Sequence, residues 1–99
     1  GDLSSGITKA NNAILTMGVQ ASYTNLLTST TEVQTQEKQV ELADQNYAVV
    51  RNRYANDLAL LTDMLDASNM KLSADMALVN ARINVLYNYF KLKYITNTL

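Results

Sequence analysis

Beyond Gly18 the sequence contains no glycine, and it has no proline anywhere. These are the two residues that interrupt a helix most strongly, by about 1 and about 3 kcal/mol relative to alanine. Roughly eighty consecutive residues therefore have little to stop them being helical. The three glycines, Gly1, Gly6 and Gly18, all lie near the start. Ninety-nine residues suffice for one domain. The first question is then where so long a helical pattern changes direction.

The stretch RNRYANDLALLTDMLDA, Arg51 to Ala67, is the place. The periodicity on its N-terminal side breaks near Tyr54. Asn56 is the residue best suited to positive φ there without glycine. Asp57 can cap the following helix. Asp57, Asp63 and Asp66 fall in the first turns of that helix, where negative charge meets the positive end of its dipole. The expected architecture is all-α: a long antiparallel two-helix coiled-coil hairpin, with helices over about 6–54 and 58–95, that oligomerises through a second helix face.

Each helix carries its own pattern. Upstream, Ser4 or Ser5 is placed to cap a helix start. Ile7, Ala10, Ile14, Met17 and Ala21 recur at spacings of three and four. Gly18 inside this run suggests close approach of a neighbouring helix. Leu26, Val33, Val40, Tyr47 and Tyr54 then fall seven apart, with Tyr23, Ala43 and Val50 in the companion row. A sustained repeat of seven implies a left-handed supercoil against a partner. The stripe is thin, because residues 28–39, TSTTEVQTQEKQ, hold one strong hydrophobe. Such a helix has water along much of its girth.

The second helix is more apolar. Leu58, Leu65, Leu72, Val79 and Leu86 are seven apart, and Leu61, Met76, Ile83 and Phe90 fill the alternate positions. This row is expected to grip the first helix. Leu60, Ala67, Ala74 and Ala81 also repeat by seven, roughly 200° further round. Small residues at that spacing admit a close neighbour, and the expectation is that this neighbour belongs to another chain. A helix with two packing faces suits a stave held between others. Lys91 and Lys93 stand in the last turns, and Asn97 reads as a left-handed terminator. At about 75 Å against about 57 Å, the first helix should overhang the second at the open end. The overhang leaves Ile7, Ile14 and Met17 without an intrachain partner.

Several function classes find no support. The chain has no histidine and no cysteine, hence neither the usual general base nor a thiol nucleophile. No enzyme activity, metal site or cofactor is implied. Asp63 and Asp66 share a helix face and could hold a cation, but paired acids at a helix start more often just complement the dipole. The tyrosines at helical spacing read as the rim of a packing seam. A net charge of −1 offers no basic stripe for nucleic acid. No run of about 18 apolar residues would span a membrane as a helix. The chain reads as a piece of a longer protein.

A family resemblance enters at the turn. Arg53-Tyr54-x-x-Asp57-x-x-x-Leu61-x-Asp63-x-Leu65-Asp66-Ala67 resembles the turn of the outer-membrane efflux proteins, the TolC family. The family pattern is a basic residue, Tyr, two residues and Gly, then an apolar and acidic helix start ending in Leu-Asp-Ala. Leu72, Ala81, Arg82 and Leu86 are similar to the returning helix. Asn97 stands where the family has the glycine that ends it. Ala21-x-Tyr23-x-x-Leu26-Leu27 and Ala43-x-x-x-Tyr47 match the descending helix. Asp57 departs from the pattern in place of the turn glycine, and Ser68 in place of the usual glutamine.

The resemblance implies one hairpin, from the second repeat, of a homotrimeric channel. Such channels pair an outer-membrane β-barrel with a helical barrel in the periplasm. The hairpin turns form a mouth that opens when a periplasmic adaptor (membrane fusion) protein and an inner-membrane pump dock. By the same resemblance Asp63 and Asp66 are pore-gate candidates. Tyr54, Asn56, Asp57, Leu58 and Leu61 would lie at the adaptor-docking tip; Ala67, Ala74 and Ala81 are assigned to helix–helix packing by their spacing and not by the resemblance. The seven-residue repeats alone fit equally well a coiled-coil scaffold or adaptor hairpin that encloses no pore. In isolation the chain is expected to form a dimer or a higher assembly.

Overall fold

The computed structural model describes residues 2–98. Two α-helices account for nearly all of it: α1, Asp2–Ala55, and α2, Leu61–Thr98. They pack against each other as a hairpin 83 Å long and about 16 by 14 Å across. A 54-residue helix at 1.5 Å per residue is about 81 Å long, so α1 sets the length of the molecule.

The ends differ from the expected ones. Ser4 and Ser5 lie inside α1, which already runs from Asp2. Asn97 is helical, not a left-handed terminator. Continuation of α2 to Thr98 leaves no basic residue in its last turn, so Lys91 and Lys93 fall short of that position. At Gly18 a Cβ atom would meet nothing within 4 Å among the described residues, so the glycine is not needed to admit a neighbouring helix of this chain.

The threonine-rich stretch of α1 stays helical by local means. The hydroxyls of Thr28, Thr30, Thr31 and Thr35 each donate to a carbonyl four residues back, at 2.9–3.2 Å. This absorbs side chains that would otherwise compete with the backbone ladder. Gln36 Nε2 donates to Glu32 Oε1 at 2.7 Å along the same surface.

The hairpin seam is the main correction. On α1 it consists of Leu26, Val33, Val40 and Tyr47, as the spacing suggests, all half-buried. The companion row is Ser22, Ser29, Gln36, Ala43 and Val50; Tyr23 and Tyr54 are exposed. On α2 the face is reversed from the expected one. Ala67 is 2% exposed and Ala81 7%, with Asn88 buried and Ala74 half-buried in the same row. Met64, Lys71, Leu78, Val85 and Leu92 form the adjoining half-buried row. Leu65, Leu72, Val79 and Leu86, expected to grip α1, point to solvent, as do Leu61, Met76, Ile83 and Phe90. Among the described residues the only other element is α1, so the alanine row is covered by the hairpin mate and not by a stranger.

Two features account for this rotation. First, the small residues face one another: Ser22, Ser29 and Ala43 on α1 against Ala67, Ala81 and Asn88 on α2. Short side chains on both sides let the axes approach, and contact over many atoms follows. Secondly, the cross-helix charged pairs among the described residues flank this face. Lys71 Nζ lies 3.7 Å from Asp44 Oδ1 and 4.9 Å from the centre of the Tyr47 ring, and Arg82 Nη2 lies 3.9 Å from Glu37 Oε1. Each exposed pair is worth only about 0.2–1 kcal/mol. Together they report rotation and register, because turning α2 by half a revolution would carry both cations away from α1.

The seam is also partly polar. Ser29 Oγ donates to the Leu26 carbonyl at 2.9 Å, and Asn88 Nδ2 donates to the Asn84 carbonyl at 2.9 Å. No buried side-chain N or O among the described residues lacks a partner. At the open end α1 projects past α2, and Ile7, Ile14 and Met17 are exposed along the overhang.

Candidate functional site: the hairpin tip

The turn is built by backbone hydrogen bonds that close α1. Leu58 N–H donates to the Arg53 carbonyl at 2.8 Å, and Asp57 N–H donates to the Tyr54 carbonyl at 3.1 Å. This is the paired 6→1 and 5→2 pattern of a Schellman motif, which needs a left-handed residue at its fifth position. That residue is Asp57, with φ of 60°, and no other described non-glycine residue has positive φ. The sequence pattern points to Asn56. Asn56 instead ends the helix: its Nδ2 donates to the Asn52 carbonyl at 2.8 Å and contacts Asn52 Oδ1 at 3.2 Å.

The same geometry relocates the cap of α2. Asp57 lies four residues before Leu61 and is committed to closing α1. Leu60 occupies the N-cap position, where its carbonyl accepts from Met64 N–H at 3.2 Å. Its own N–H donates to Asp63 Oδ2 at 3.0 Å. This is one half of a capping box, with the acid three residues inside the helix reaching back. The sequence signal for it was weak, because leucine offers no oxygen for the reciprocal bond. Asp63 is thus a structural residue as well as a charge near the positive end of α2.

Around this frame the tip is apolar and exposed. Leu58 is 76% exposed and Leu60 70%, with Tyr54 and Leu61 also open to solvent. Leu60, expected to share the alanine row, belongs to the turn. Asp63 and Asp66 line one cleft of about 380 Å³ between the helices, together with Arg53, Val50 and Ala67. The cleft therefore holds two carboxylates and one guanidinium. Among the described residues no three His, Cys, Asp or Glu side chains converge as metal ligands would.

Of the residues singled out from the sequence, Tyr54, Asn56, Asp57, Leu58 and Leu61 lie together at this end, with Asp63 and Asp66 on its flank. Ala67 begins the seam directly beneath, and Ala74 and Ala81 lie further along it. Nothing in the sequence marks Lys71 as an interhelix residue, since a lysine in a seven-residue row reads as a surface charge. Among the described residues no helix is long and apolar enough to cross a membrane. Comparison with protein-family models, with curated proteins and with solved structures finds no match for this chain.

Proposed function

We propose that this hairpin is a stave of the periplasmic helical barrel of an outer-membrane export channel, with its turn at the gated tip. The observation that carries the reading is the second face of α2. Its large apolar side chains run the length of the helix on the side away from α1, where no described residue covers them. A hairpin needs one packing face per helix; a stave needs two. The turn supports the same reading. Asp57 holds the left-handed conformation that glycine adopts without strain, at the position where the efflux-protein pattern carries glycine.

On this reading the chain works as part of a passive conduit and carries out no catalysis. Three copies, from a homotrimer, bring Asp63 and Asp66 around one axis. Like charges held close repel unless hydrated, separated or bridged by cations. That repulsion favours the open mouth, and helix packing opposes it. The exposed Tyr54, Leu58 and Leu61 supply apolar surface at the end of the hairpin for a periplasmic adaptor protein, which in turn engages an inner-membrane pump.

The test is electrical. In the assembled parent channel, Asp63→Asn with Asp66→Asn should lower cation selectivity and weaken block by divalent ions. Asparagine at 63 keeps an acceptor for the Leu60 N–H, so the cap is spared and the readout is charge alone. Unchanged conductance would remove the gate role. Disulfides pinning neighbouring tips should stop export while leaving the trimer assembled. A parent sequence without amphipathic strands of about 9–11 residues would instead favour a scaffold hairpin.

A further inference from the structure

Six residues of the solvent-facing row of α2, which also holds Met76 and Ile83, are placed symmetrically. Leu61, Leu65, Leu72, Val79, Leu86 and Phe90 are spaced by 4, 7, 7, 7 and 4 residues, a series that reads the same from either end. All six are between 52% and 59% exposed, on the face of α2 turned away from α1. We propose that this row is a self-recognition surface, on which a second copy of the chain docks its own α2 antiparallel about a two-fold axis near Met76.

In that register Leu61 of one copy meets Phe90 of the other, Leu65 meets Leu86 and Leu72 meets Val79. Met76 lies at the axis, where its flexible thioether adapts to its own symmetry mate. A two-fold interface requires such self-complementarity, since each contact must occur twice. A parallel pairing would also align the sevens, but it would set the two helix dipoles side by side in the same sense. Asp63 and Asp66 lie at one end of the helix and Lys91 and Lys93 at the other. Antiparallel docking brings unlike ends and opposed helix dipoles together.

The area is sufficient. Side chains of this size at this exposure offer on the order of 100 Å² each. The six, with Met76 and Ile83, give roughly 800 Å² per copy, the share that each partner contributes to a standard stable interface. The hairpin mate is untouched by this docking, because the alanine row lies on the opposite side of α2. The inference uses the same outer face of α2 as the channel reading but the opposite polarity: hairpins anchored in one membrane point the same way, so their α2 helices would run parallel, and the antiparallel pair is an assembly of the free chain.

The test uses the 99-residue chain in solution. Sedimentation equilibrium at high micromolar concentration should give twice the monomer mass, and Leu72→Lys should return the monomer with its helical circular dichroism retained. The chain has no cysteine of its own, so introduced thiols report the register. Leu72→Cys mixed with Val79→Cys, and Leu65→Cys mixed with Leu86→Cys, should oxidise to mixed disulfide dimers. Leu72→Cys alone should not cross-link to itself, since the two positions lie about seven residues, roughly 10 Å, apart along the axis. A monomeric wild type, a Leu72→Lys variant that stays dimeric, or efficient Leu72→Cys self-cross-linking would each overturn the proposal.

Discussion

The two faces of α2 are nearly opposite in composition and opposite in fate. One is a row of small residues, Ala67, Ala74, Ala81 and Asn88, and it is covered. The other is a row of leucine-class residues and it faces water. Ranking the faces by hydrophobicity would bury the second. The hairpin buries the first because close helix approach depends on the shape of both partners. The facing row of α1 is itself small, at Ser22, Ser29 and Ala43. Burial within one chain thus reports what its own partner helix can accept. The apolar surplus left outside is then informative in its own right, since contiguous exposed apolar surface marks a place for something else to bind.

Exchanging side-chain size between the two faces gives the largest effect. Ala67→Leu inserts three carbons into the tightest point of the seam and should destabilise the hairpin by about 1–3 kcal/mol. Leu72→Ala on the outer face should stay within about 0.5 kcal/mol for the dilute chain. Thermal unfolding followed by circular dichroism measures both, and equal losses would erase the distinction between the faces.

The turn provides a smaller, opposite-signed effect. Asp57→Gly relieves a left-handed L-residue and should stabilise by about 1 kcal/mol, after the extra backbone freedom of unfolded glycine is offset. If the variant melts lower than the wild type, the Schellman turn is not held as described. Gly18→Ala is the matching change away from the tip. With open space around its Cβ, it should add about 0.5–1 kcal/mol. A loss there would mean that a neighbour does pack against Gly18.

Asp63→Ala removes the side-chain acceptor for the Leu60 N–H and should cost about 0.5–1 kcal/mol, while Asp63→Asn should cost less. If both melt alike, the hydrogen bond is not what Asp63 contributes. Smallest of all is Lys71→Gln, which breaks the pair with Asp44 and the contact with Tyr47. A drop of a few tenths of a kcal/mol, shrinking with added salt, is expected for a pair this exposed. A larger, salt-independent loss would place Lys71 deeper in the seam than its geometry implies.

The tip was only partly legible in advance. That the chain reverses near residues 55–60 follows from the broken periodicity after Tyr54 and from the charge cluster around it. Which residue turns left-handed was not legible, because Asn56 and Asp57 both tolerate that conformation and the choice lies in where α1 stops. The cap from Asp63 was hidden for a similar reason: it depends on α2 starting at Leu61, three residues later than the apolar pattern begins.

The linear pattern by itself determined two long helices, a reversal between them, the longer first helix and the presence of two seven-residue rows on α2. These follow from the absence of breakers and from periodicity, both local properties of the chain. Only the tertiary structure decided which α2 row meets α1. That choice depends on the matched shape of two surfaces and on the cross-helix pairing of Lys71 with Asp44 and Arg82 with Glu37. Neither is a property of one helix read alone.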